Sequence, residues 1–215
     1  MKKLITEKDL IEFEKKGIKV VVINKETLIT PLALDRIRAS KFTVVEQEIP
    51  KKISNVKLAN QDSETSNSII IGNDHTGFKL KNNLIKHLTE RGYNLFDAGT
   101  YDENPCDYPD IAKIVATKIV EKEFNLGILI DASGIPSAIV ANKFKGIKAA
   151  TCYNTFSARS SRAHNNSNIL VLGARALGEE SIKIIVDEWM STKFEGGRHQ
   201  RRLDKLSDIE NENYG

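Results

Sequence analysis

An aspartate and a serine–glycine pair stand where an apolar stretch changes into a helical pattern, in the segment LIDASGIPSAIVANK at positions 129–143. A helix start presents free backbone N–H groups, so the turn at Ser133 and Gly134 is suited to binding an anion. Asp131 could remove a proton next to a carbonyl group while these N–H groups stabilise the resulting oxyanion. The same carboxylate could instead cap the following helix. The spacing therefore leaves two roles open for Asp131, catalytic base and helix cap.

Other polar and basic residues occupy positions from which a phosphate could be bound. They follow the ends of apolar segments or lie in the basic stretch near the C-terminus: Asp74, His75, His164, Arg175, Arg198 and Arg202. Arginine clusters bind phosphate through paired N–H donors, and His199 within this cluster is a further candidate. Asp74 could equally be a helix cap beside an exposed histidine. Because the sequence has neither a P-loop nor a GxGxxG fingerprint, the predicted ligand is a small phosphorylated metabolite rather than a nucleotide.

The elements that would position these residues alternate between strand and helix from position 68 onward. Strands are predicted at 68–74, 93–99, 125–134, 147–153 and 167–175, and helices at 77–92, 108–123, 136–146, 155–165 and 178–192. This alternation is typical of parallel strands joined by right-handed helical crossovers. Continuous apolar strands favour a sheet that is covered on both faces. We therefore predict an α/β fold with a doubly wound, Rossmann-like parallel sheet of five strands and a ligand at their carboxyl ends.

A small α/β module is predicted to precede this sheet. Thr6 and Thr30 are candidate N-caps of two helices, predicted at 6–17 and 30–40, with strands at 18–23 and 41–49. The polar, aperiodic stretch that follows has the composition of a linker. The predicted organisation is a docking or accessory module at 1–48, a linker at 49–67 and the main domain at 68–215.

The overall composition argues against several classes of protein. The net charge of +3 is mild, and the basic stretch at 198–202 is too short to follow a nucleic-acid duplex, so no nucleic-acid partner is expected. Cys106 and Cys152 lack CxxC spacing, which argues against a disulfide framework and a structural zinc site. With no apolar leader and no apolar run of about 18 residues, we predict a cytoplasmic protein without a membrane partner.

A set of segments between about residues 68 and 208 is similar to those of a known family: DHTGFKLK, DYPDIA, GIKAA, SARSSRAHNNSNILVLGAR and FEGGRHQRR. They resemble the type B ribose-5-phosphate isomerases and the related galactose-6-phosphate isomerase subunits. The resemblance implies isomerisation between an aldose phosphate and a ketose phosphate through a cis-enediolate, with no metal and no cofactor. Ribose 5-phosphate and ribulose 5-phosphate are the expected pair.

The same resemblance implies roles for individual residues. His164 would donate a proton during ring opening, and Asn165 would hold the sugar hydroxyls. The sugar and its phosphate would be contacted by Asp74, His75, Arg175, Arg198 and Arg202. Family members are dimers or tetramers with the site at a subunit interface, so a homodimer or homotetramer is expected, with the C-terminal arginine segment reaching towards a neighbour.

The third strand departs from the family's common pattern. Members of the family carry Cys-Gly-Thr-Gly-(Ile/Val)-Gly there, with the cysteine as base, whereas residues 131–136 of this chain are Asp-Ala-Ser-Gly-Ile-Pro. Another branch uses a glutamate six residues after the cysteine position, where this chain has Ser137. Cys152 lies on a different strand. We therefore predict that Asp131 replaces the cysteine as base.

Two further changes in this turn affect the predicted chemistry. Ser133 keeps a hydroxyl where the family has threonine, so a polar contact to the sugar is expected. Pro136 removes one backbone N–H from the oxyanion trap. One galactose-6-phosphate isomerase subunit also has Asp-Ala at this point. The chain could therefore instead be a non-catalytic or partner subunit of such a heteromer, or a sugar-phosphate-binding protein.

The N-terminal module carries its own, shorter resemblance. The pattern ITEKDL, then KGIKVVVINKETLITPLALDRIR, is similar to the module at the front of several enzymes of bacterial microcompartments, such as those of ethanolamine utilisation. This implies a shell or cargo partner for residues 1–48 and a location inside a microcompartment. The alternative is an accessory domain that packs on its own isomerase domain.

Overall fold

A computed structural model describes residues 4–15, 20–23, 28–40, 42–46 and 68–214 of the protein. The chain divides into two compact units, Met1–Leu58 and Ala59–Gly215. Within the described ranges, none of the helices combines the length and the apolar character that crossing a bilayer requires.

In the first unit the described residues form short parallel strand pairs and two helices. The elements are β1 (Leu4–Ile5), α1 (Glu7–Lys15), β2 (Val20–Ile23), β3 (Leu28–Ile29), α2 (Pro31–Ala39) and β4 (Thr43–Glu46). β1 pairs with β3, and β2 pairs with β4. The Thr30 hydroxyl accepts the N–H of Ala33 at 3.3 Å, which confirms the predicted cap of the second helix. The predicted end of the first helix, at Gly17, lies outside the described residues.

The second unit alternates strand and helix throughout. Its elements are β5 (Ser68–Asn73), α3 (Phe78–Thr89), β6 (Asn94–Asp97), α4 (Tyr108–Val120), β7 (Leu126–Asp131), α5 (Pro136–Ala141), β8 (Ala149–Thr151), α6 (Thr155–Ala163), β9 (Ile169–Gly173), α7 (Glu179–Ser191) and α8 (Arg198–Tyr214). A single 3₁₀ turn at His75–Gly77 joins β5 to α3. The five strands form one parallel sheet in the order β6-β5-β7-β9-β8. The predicted α/β class and the doubly wound five-stranded sheet are confirmed.

The sheet separates two apolar layers because successive side chains of a strand point to opposite faces. Ile69 and Ile71 of β5 lie in one layer with residues of α3 and α7, whereas Ile70 lies in the other with residues of α4 and α5. Both faces are covered, which explains why the strands read as continuous apolar runs. Trp189 of α7 is fully buried in the first layer, and its indole N–H donates to Ser167 Oγ at 2.9 Å.

A buried lysine fixes the end of β6. The Lys81 side chain is 0 % exposed, and its Nζ lies 2.7 Å from Asp97 Oδ1. The same ammonium group donates to the Thr100 carbonyl oxygen at 2.5 Å. A buried charge is tolerated only when it is paired and hydrogen-bonded in this way. Helix α3, which carries Lys81, therefore anchors the loop that follows β6. This loop begins at one of the strand ends near the predicted site.

The C-terminal helix α8 is the largest difference from the sequence prediction. Its 17 residues begin at Arg198, inside the EGGRH segment, which was expected only as an arm. Polar residues dominate the helix, and Leu206 and Ile209 remain 40 % and 53 % exposed. The apolar residues of this helix are few, so it does not stand out from a polar terminal segment, which is why the sequence pattern did not reveal it.

Candidate active site

The topological switch point of the sheet lies between β5 and β7, whose carboxyl ends lead to Asp74 and Asp131. The backbone N–H of Asp74 donates to the Ile130 carbonyl oxygen at 3.0 Å. Beyond β9, the N–H of Arg175 donates to the Ala132 carbonyl oxygen at 3.0 Å. Three predicted site residues therefore have their backbones at the edge where such sheets bind ligands.

The carboxylate of Asp131 is buried, with 0 % of the residue exposed, and is turned back onto the segment that follows it. Oδ1 accepts the N–H groups of Ser133 at 2.9 Å and Gly134 at 2.6 Å, and Oδ2 accepts that of Ser137 at 3.0 Å. Asp131 lies four residues before the N-cap position Ile135, but by accepting the N–H of Ser137 it satisfies a helix-start donor as a capping side chain does. To act as a base, Asp131 would have to give up these hydrogen bonds and reach a surface. The structure thus places the side chain in the second of its two possible roles, and the role of base stays a prediction.

The turn at residues 133–137 has no backbone N–H group left for a ligand. Three of these groups donate to Asp131, and that of Ile135 lies 3.2 Å from Ser133 Oγ. Pro136 has no N–H and occupies the first position of α5, where proline is favoured. The N–H groups of the predicted oxyanion trap are therefore paired with acceptors of the chain itself, and their use for a substrate oxyanion stays a prediction.

Two side chains at the end of β8 donate hydrogen bonds to carbonyl oxygens of the same turn. The Thr151 hydroxyl donates to the Gly134 carbonyl oxygen at 2.6 Å, and the Tyr153 hydroxyl donates to that of Ser133 at 2.9 Å. Gly134 has φ of +83°, and a Cβ there would lie 3.0 Å from the Gly173 nitrogen, so only glycine fits. Sequence reasoning missed Thr151 and Tyr153. Their position at the carboxyl end of a predicted strand was the available signal.

Asp74 also serves as a cap. It is 8 % exposed, and its Oδ1 accepts the backbone N–H of Thr76 at 2.9 Å and the hydroxyl of the same residue at 2.5 Å. The neighbouring His75 is half-buried, and its Nδ1 accepts the N–H of Cys106 at 3.4 Å. The predicted aspartate cap is thus observed, but the histidine beside it is half-buried and not exposed as that alternative had it, and direct sugar contacts by Asp74 and His75 stay predictions.

A second cluster contains His164, Glu195 and His199. The two imidazole rings are stacked, with their centroids 4.2 Å apart and their planes 7° from parallel. Glu195 Oε2 lies 3.8 Å from His164 Nε2 and 3.6 Å from His199 Nε2. The N–H of Glu195 donates to the Ala163 carbonyl oxygen at 3.0 Å, and the two glycines that follow have φ of +65° and +55°. This tight turn into α8 brings the EGGRH segment against the end of α6, and Glu195 was not predicted as a site residue.

The predicted phosphate ligands have exposed side chains: Arg175, Arg198 and Arg202. Arg198 belongs to the histidine cluster, since its Nε lies 3.4 Å from His199 Nε2. Asn165 is exposed too, and it lines an open cavity of about 480 Å³ together with Leu203 and Leu206 of α8. The structure therefore brings the predicted site residues together in two groups, one at the carboxyl ends of the strands and one at the start of α8.

The electrostatic setting of His199 favours its neutral form. Burial lowers the pKa of this imidazole, the charges of His164 and Arg198 lower it further, and Glu195 opposes them. In the unfolded chain the residue titrates near its ordinary value of 6.5. The unfolded state therefore binds more protons below this pH, so the contribution of His199 to stability is present at neutral pH and is lost in acid.

We expect the free energy of unfolding to fall more steeply between about pH 7.5 and 5.5 in the unmodified protein than in a His199→Gln variant. Glutamine does not titrate, so the variant lacks this proton uptake on unfolding. Urea denaturation at a series of pH values measures the difference. Parallel pH profiles for the two proteins would contradict the assignment.

One group of three residues in the described part of the chain has the composition of a metal site: His164, Glu195 and His199. A metal bound by an imidazole lies close to the plane of that ring, along the nitrogen lone pair. Because the two rings are nearly parallel and stacked, no single point lies in both planes. The arrangement therefore suits a Glu195 carboxylate that interacts with both rings better than it suits a metal ion bound by both rings.

Cys152 does not replace the missing base. It is 1 % exposed, and burial raises the pKa of its thiol. The reactive form of cysteine is the thiolate, so this residue stays protonated and structural, in agreement with the sequence prediction.

Comparison with known proteins identifies the family of the second unit. The family model "Ribose/Galactose Isomerase" matches residues 69–206. Ribose-5-phosphate isomerase B of Escherichia coli is 44 % identical over 142 residues, which cover 66 % of this chain and 95 % of that protein.

Solved structures agree with this match. The Clostridium thermocellum ribose-5-phosphate isomerase B superimposes with a TM-score of 0.67 at 42 % identity, covering 69 % of this chain and 99 % of the other. A Mycoplasma genitalium ribose-5-phosphate isomerase B with bound ribulose-5-phosphate gives a TM-score of 0.65 at 40 % identity, covering 67 % and 97 %. The fold, the matched residues and these relatives agree, and the chain belongs to the ribose/galactose isomerase family.

Proposed function

We propose that this chain is a sugar-phosphate isomerase that interconverts ribose 5-phosphate and ribulose 5-phosphate. The observation that carries the proposal is the match to relatives named ribose-5-phosphate isomerase B along nearly the whole length of those proteins. The chain's own residues supply supporting chemistry, an imidazole at His164 and a guanidinium at Arg198 beside the same cluster. Arginine suits a phosphate group, and histidine suits proton transfer at neutral pH.

The proposed reaction needs proton transfers only. His164 donates a proton to the ring oxygen while the bond from that oxygen to the anomeric carbon breaks, and the anomeric hydroxyl loses a proton to water. A base then removes the proton from the carbon next to the carbonyl, which forms a cis-enediolate. The hydroxyl proton of the second carbon passes to the oxygen of the first, and the abstracted proton returns to the first carbon, which gives the ketose with no net oxidation. The proposal needs neither metal nor cofactor.

Asp131 is the candidate base by its position at the end of β7. Catalysis by this residue requires the carboxylate to exchange its three backbone partners for the substrate. A carboxylate base serves other isomerases when its surroundings are suitable. In the cap position it cannot accept a proton from a sugar carbon, so this step is the one that the experiments below must test.

The cap geometry favours a second candidate function. A chain with Asp131 fixed in the cap could hold a sugar phosphate and complete the site of a partner subunit without catalysing the reaction alone. This matches the alternative of a non-catalytic subunit in a heteromer. The exposed arginines would then serve a site formed with another chain, since family resemblance implies sites at subunit interfaces.

The assembly and the location of the protein are part of the same proposal. We expect a homodimer or homotetramer, and a docking function for residues 1–48 towards a microcompartment shell or cargo protein. Size-exclusion chromatography with light scattering measures the first. A fusion of residues 1–67 to a fluorescent protein, expressed with and without microcompartment shells, measures the second.

Turnover of ribose 5-phosphate by the purified chain tests the proposed function. The chain, its Asp131→Asn variant and its Asp131→Cys variant are compared in one assay. Activity of the unmodified chain that disappears with asparagine supports isomerisation with Asp131 as base. A silent chain that binds ribose 5-phosphate and gains activity with cysteine supports the partner-subunit function instead. Absence of both binding and turnover for every pentose and hexose phosphate would overturn the proposal.

A further inference from the structure

The peptide group between Ser133 and Gly134 is hydrogen-bonded on both sides. Its carbonyl oxygen accepts the Tyr153 hydroxyl at 2.9 Å. Its N–H group, which belongs to Gly134, donates to Asp131 Oδ1 at 2.6 Å. A donor at the carbonyl oxygen polarises an amide and strengthens the hydrogen bond that the N–H of the same amide makes. Tyr153 therefore acts on the Asp131 carboxylate through this peptide group.

A second chain of hydrogen bonds leads from Thr151 to the same carboxylate. The Thr151 hydroxyl donates to the Gly134 carbonyl oxygen at 2.6 Å. The N–H of that peptide group belongs to Ile135 and donates to Ser133 Oγ at 3.2 Å. The Ser133 hydroxyl in turn lies 3.4 Å from Asp131 Oδ1. The two hydroxyls at the end of β8 thus reach one carboxylate oxygen through successive peptide groups.

The end of β9 confines the Ser133–Gly134 peptide group from another side. A Cβ at Gly173 would lie 2.5 Å from the Ser133 carbonyl oxygen, so the two backbones approach as closely as only glycine permits. Because a peptide group is planar, fixing its carbonyl oxygen also fixes the direction of its N–H. The Tyr153 hydroxyl therefore helps to keep the Gly134 N–H pointed at Asp131.

We propose that Tyr153 and Thr151 are positioning residues for Asp131: they fix the carbonyl groups of the turn, keep its N–H groups on the carboxylate and so restrain Asp131 in the cap. The catalytic part of this inference rests on the proposed function, in which Asp131 must leave these N–H groups to reach a substrate. The two hydroxyls then set how often the carboxylate is free. Neither needs to touch the reacting atoms.

The first test does not depend on turnover. Amide hydrogen exchange of the full chain is followed by NMR in the unmodified protein and in Tyr153→Phe, which keeps the exposed ring and removes only the hydroxyl. We expect the N–H groups of Ser133, Gly134 and Ser137 to exchange about fivefold faster, because losing one hydrogen bond shifts a local opening equilibrium by that order. The N–H of Ile128, inside the sheet, should keep its rate, because it opens only with the whole domain.

Two controls separate these hydrogen bonds from general destabilisation. Tyr101→Phe removes a hydroxyl that donates to the Asp97 carbonyl oxygen at 3.1 Å, at the end of β6, and should leave exchange in the turn unchanged. Thr151→Val should accelerate exchange in the turn, whereas Thr151→Ser keeps a hydroxyl and should retain the rates of the unmodified protein. Unchanged exchange of the turn in Tyr153→Phe, or equal acceleration of every amide in the domain, would overturn the proposal.

The second test uses kinetics and applies to a chain that turns over ribose 5-phosphate. Loosening the cap raises the fraction of free Asp131, so Tyr153→Phe should raise kcat about fivefold. KM should not change, because neither hydroxyl is placed on the substrate. A purely structural role would lower kcat, and a lowered or unchanged kcat contradicts the restraint of Asp131 in catalysis. A silent unmodified chain counts against the proposed function alone, since hydrogen exchange still decides whether the two hydroxyls hold the carboxylate.

Discussion

Replacing Asp131 by asparagine should lower the free energy of unfolding of the isomerase unit by about 3 kcal/mol. The carboxylate accepts three backbone N–H groups, and it is fully buried. Asparagine keeps one oxygen but places its NH₂ group against at least one N–H donor, so a buried donor loses its partner. Urea denaturation followed by circular dichroism measures the change.

The exposed Asp208 of α8 provides the matched control, because Asp208→Asn removes the same charge without removing a cap. We expect this control to change stability by less than about 0.5 kcal/mol. If Asp131→Asn loses turnover but keeps the stability of the unmodified chain, the cap is not what this carboxylate contributes, and the role of base gains support. If it loses stability and keeps turnover, Asp131 is a cap and the base lies elsewhere.

The second large effect is expected at His164. A His164→Gln variant should turn over ribose 5-phosphate about 100-fold more slowly than the unmodified chain, since a positioned proton donor contributes roughly 10²–10⁴-fold. Glutamine approximates the reach of imidazole but does not exchange protons near neutral pH. Steady-state kinetics at saturating substrate measures the loss as kcat.

His87 offers the matched histidine control. It lies on α3, and its Nε2 is 2.9 Å from Asp187 Oδ1, a half-buried contact outside both site clusters. His87→Gln should therefore retain the kcat of the unmodified chain. Equal activities of His164→Gln and the unmodified chain would remove His164 from the proposed mechanism and leave ring opening to solvent.

The sequence carried most of the information about the sheet. Runs such as Ile69–Ile71 and Leu126–Ile130 have no polar side chain at any position, which is typical of a parallel strand covered on both faces. Helix starts that carry a capping side chain, as at Thr30, could equally be predicted from the sequence. Helix α8 could not be, because it is the most polar of the described helices and its few apolar residues remain largely exposed.

The site was less predictable than the fold for a physical reason. Spacing along the chain identified Asp131, but not the direction of its side chain, which is turned towards three backbone N–H donors of the following segment. The contacts of Tyr153 and Glu195 join segments 20 and 32 positions apart in the sequence. Such pairings follow from the sheet order and from the glycine turn before α8, and no local pattern encodes them.

The hydrogen bonds of the turn after β7 form within the domain itself when it folds. Its carboxylate, hydroxyl and carbonyl groups are matched internally, so a ligand that binds there while Asp131 stays in the cap bears no entropic cost of ordering a loop. The same internal matching means that the main chain contributes little attraction to that ligand. Affinity at this edge of the sheet must come from mobile side chains, and single substitutions among them should be able to change which sugar is accepted while the underlying framework stays as it is.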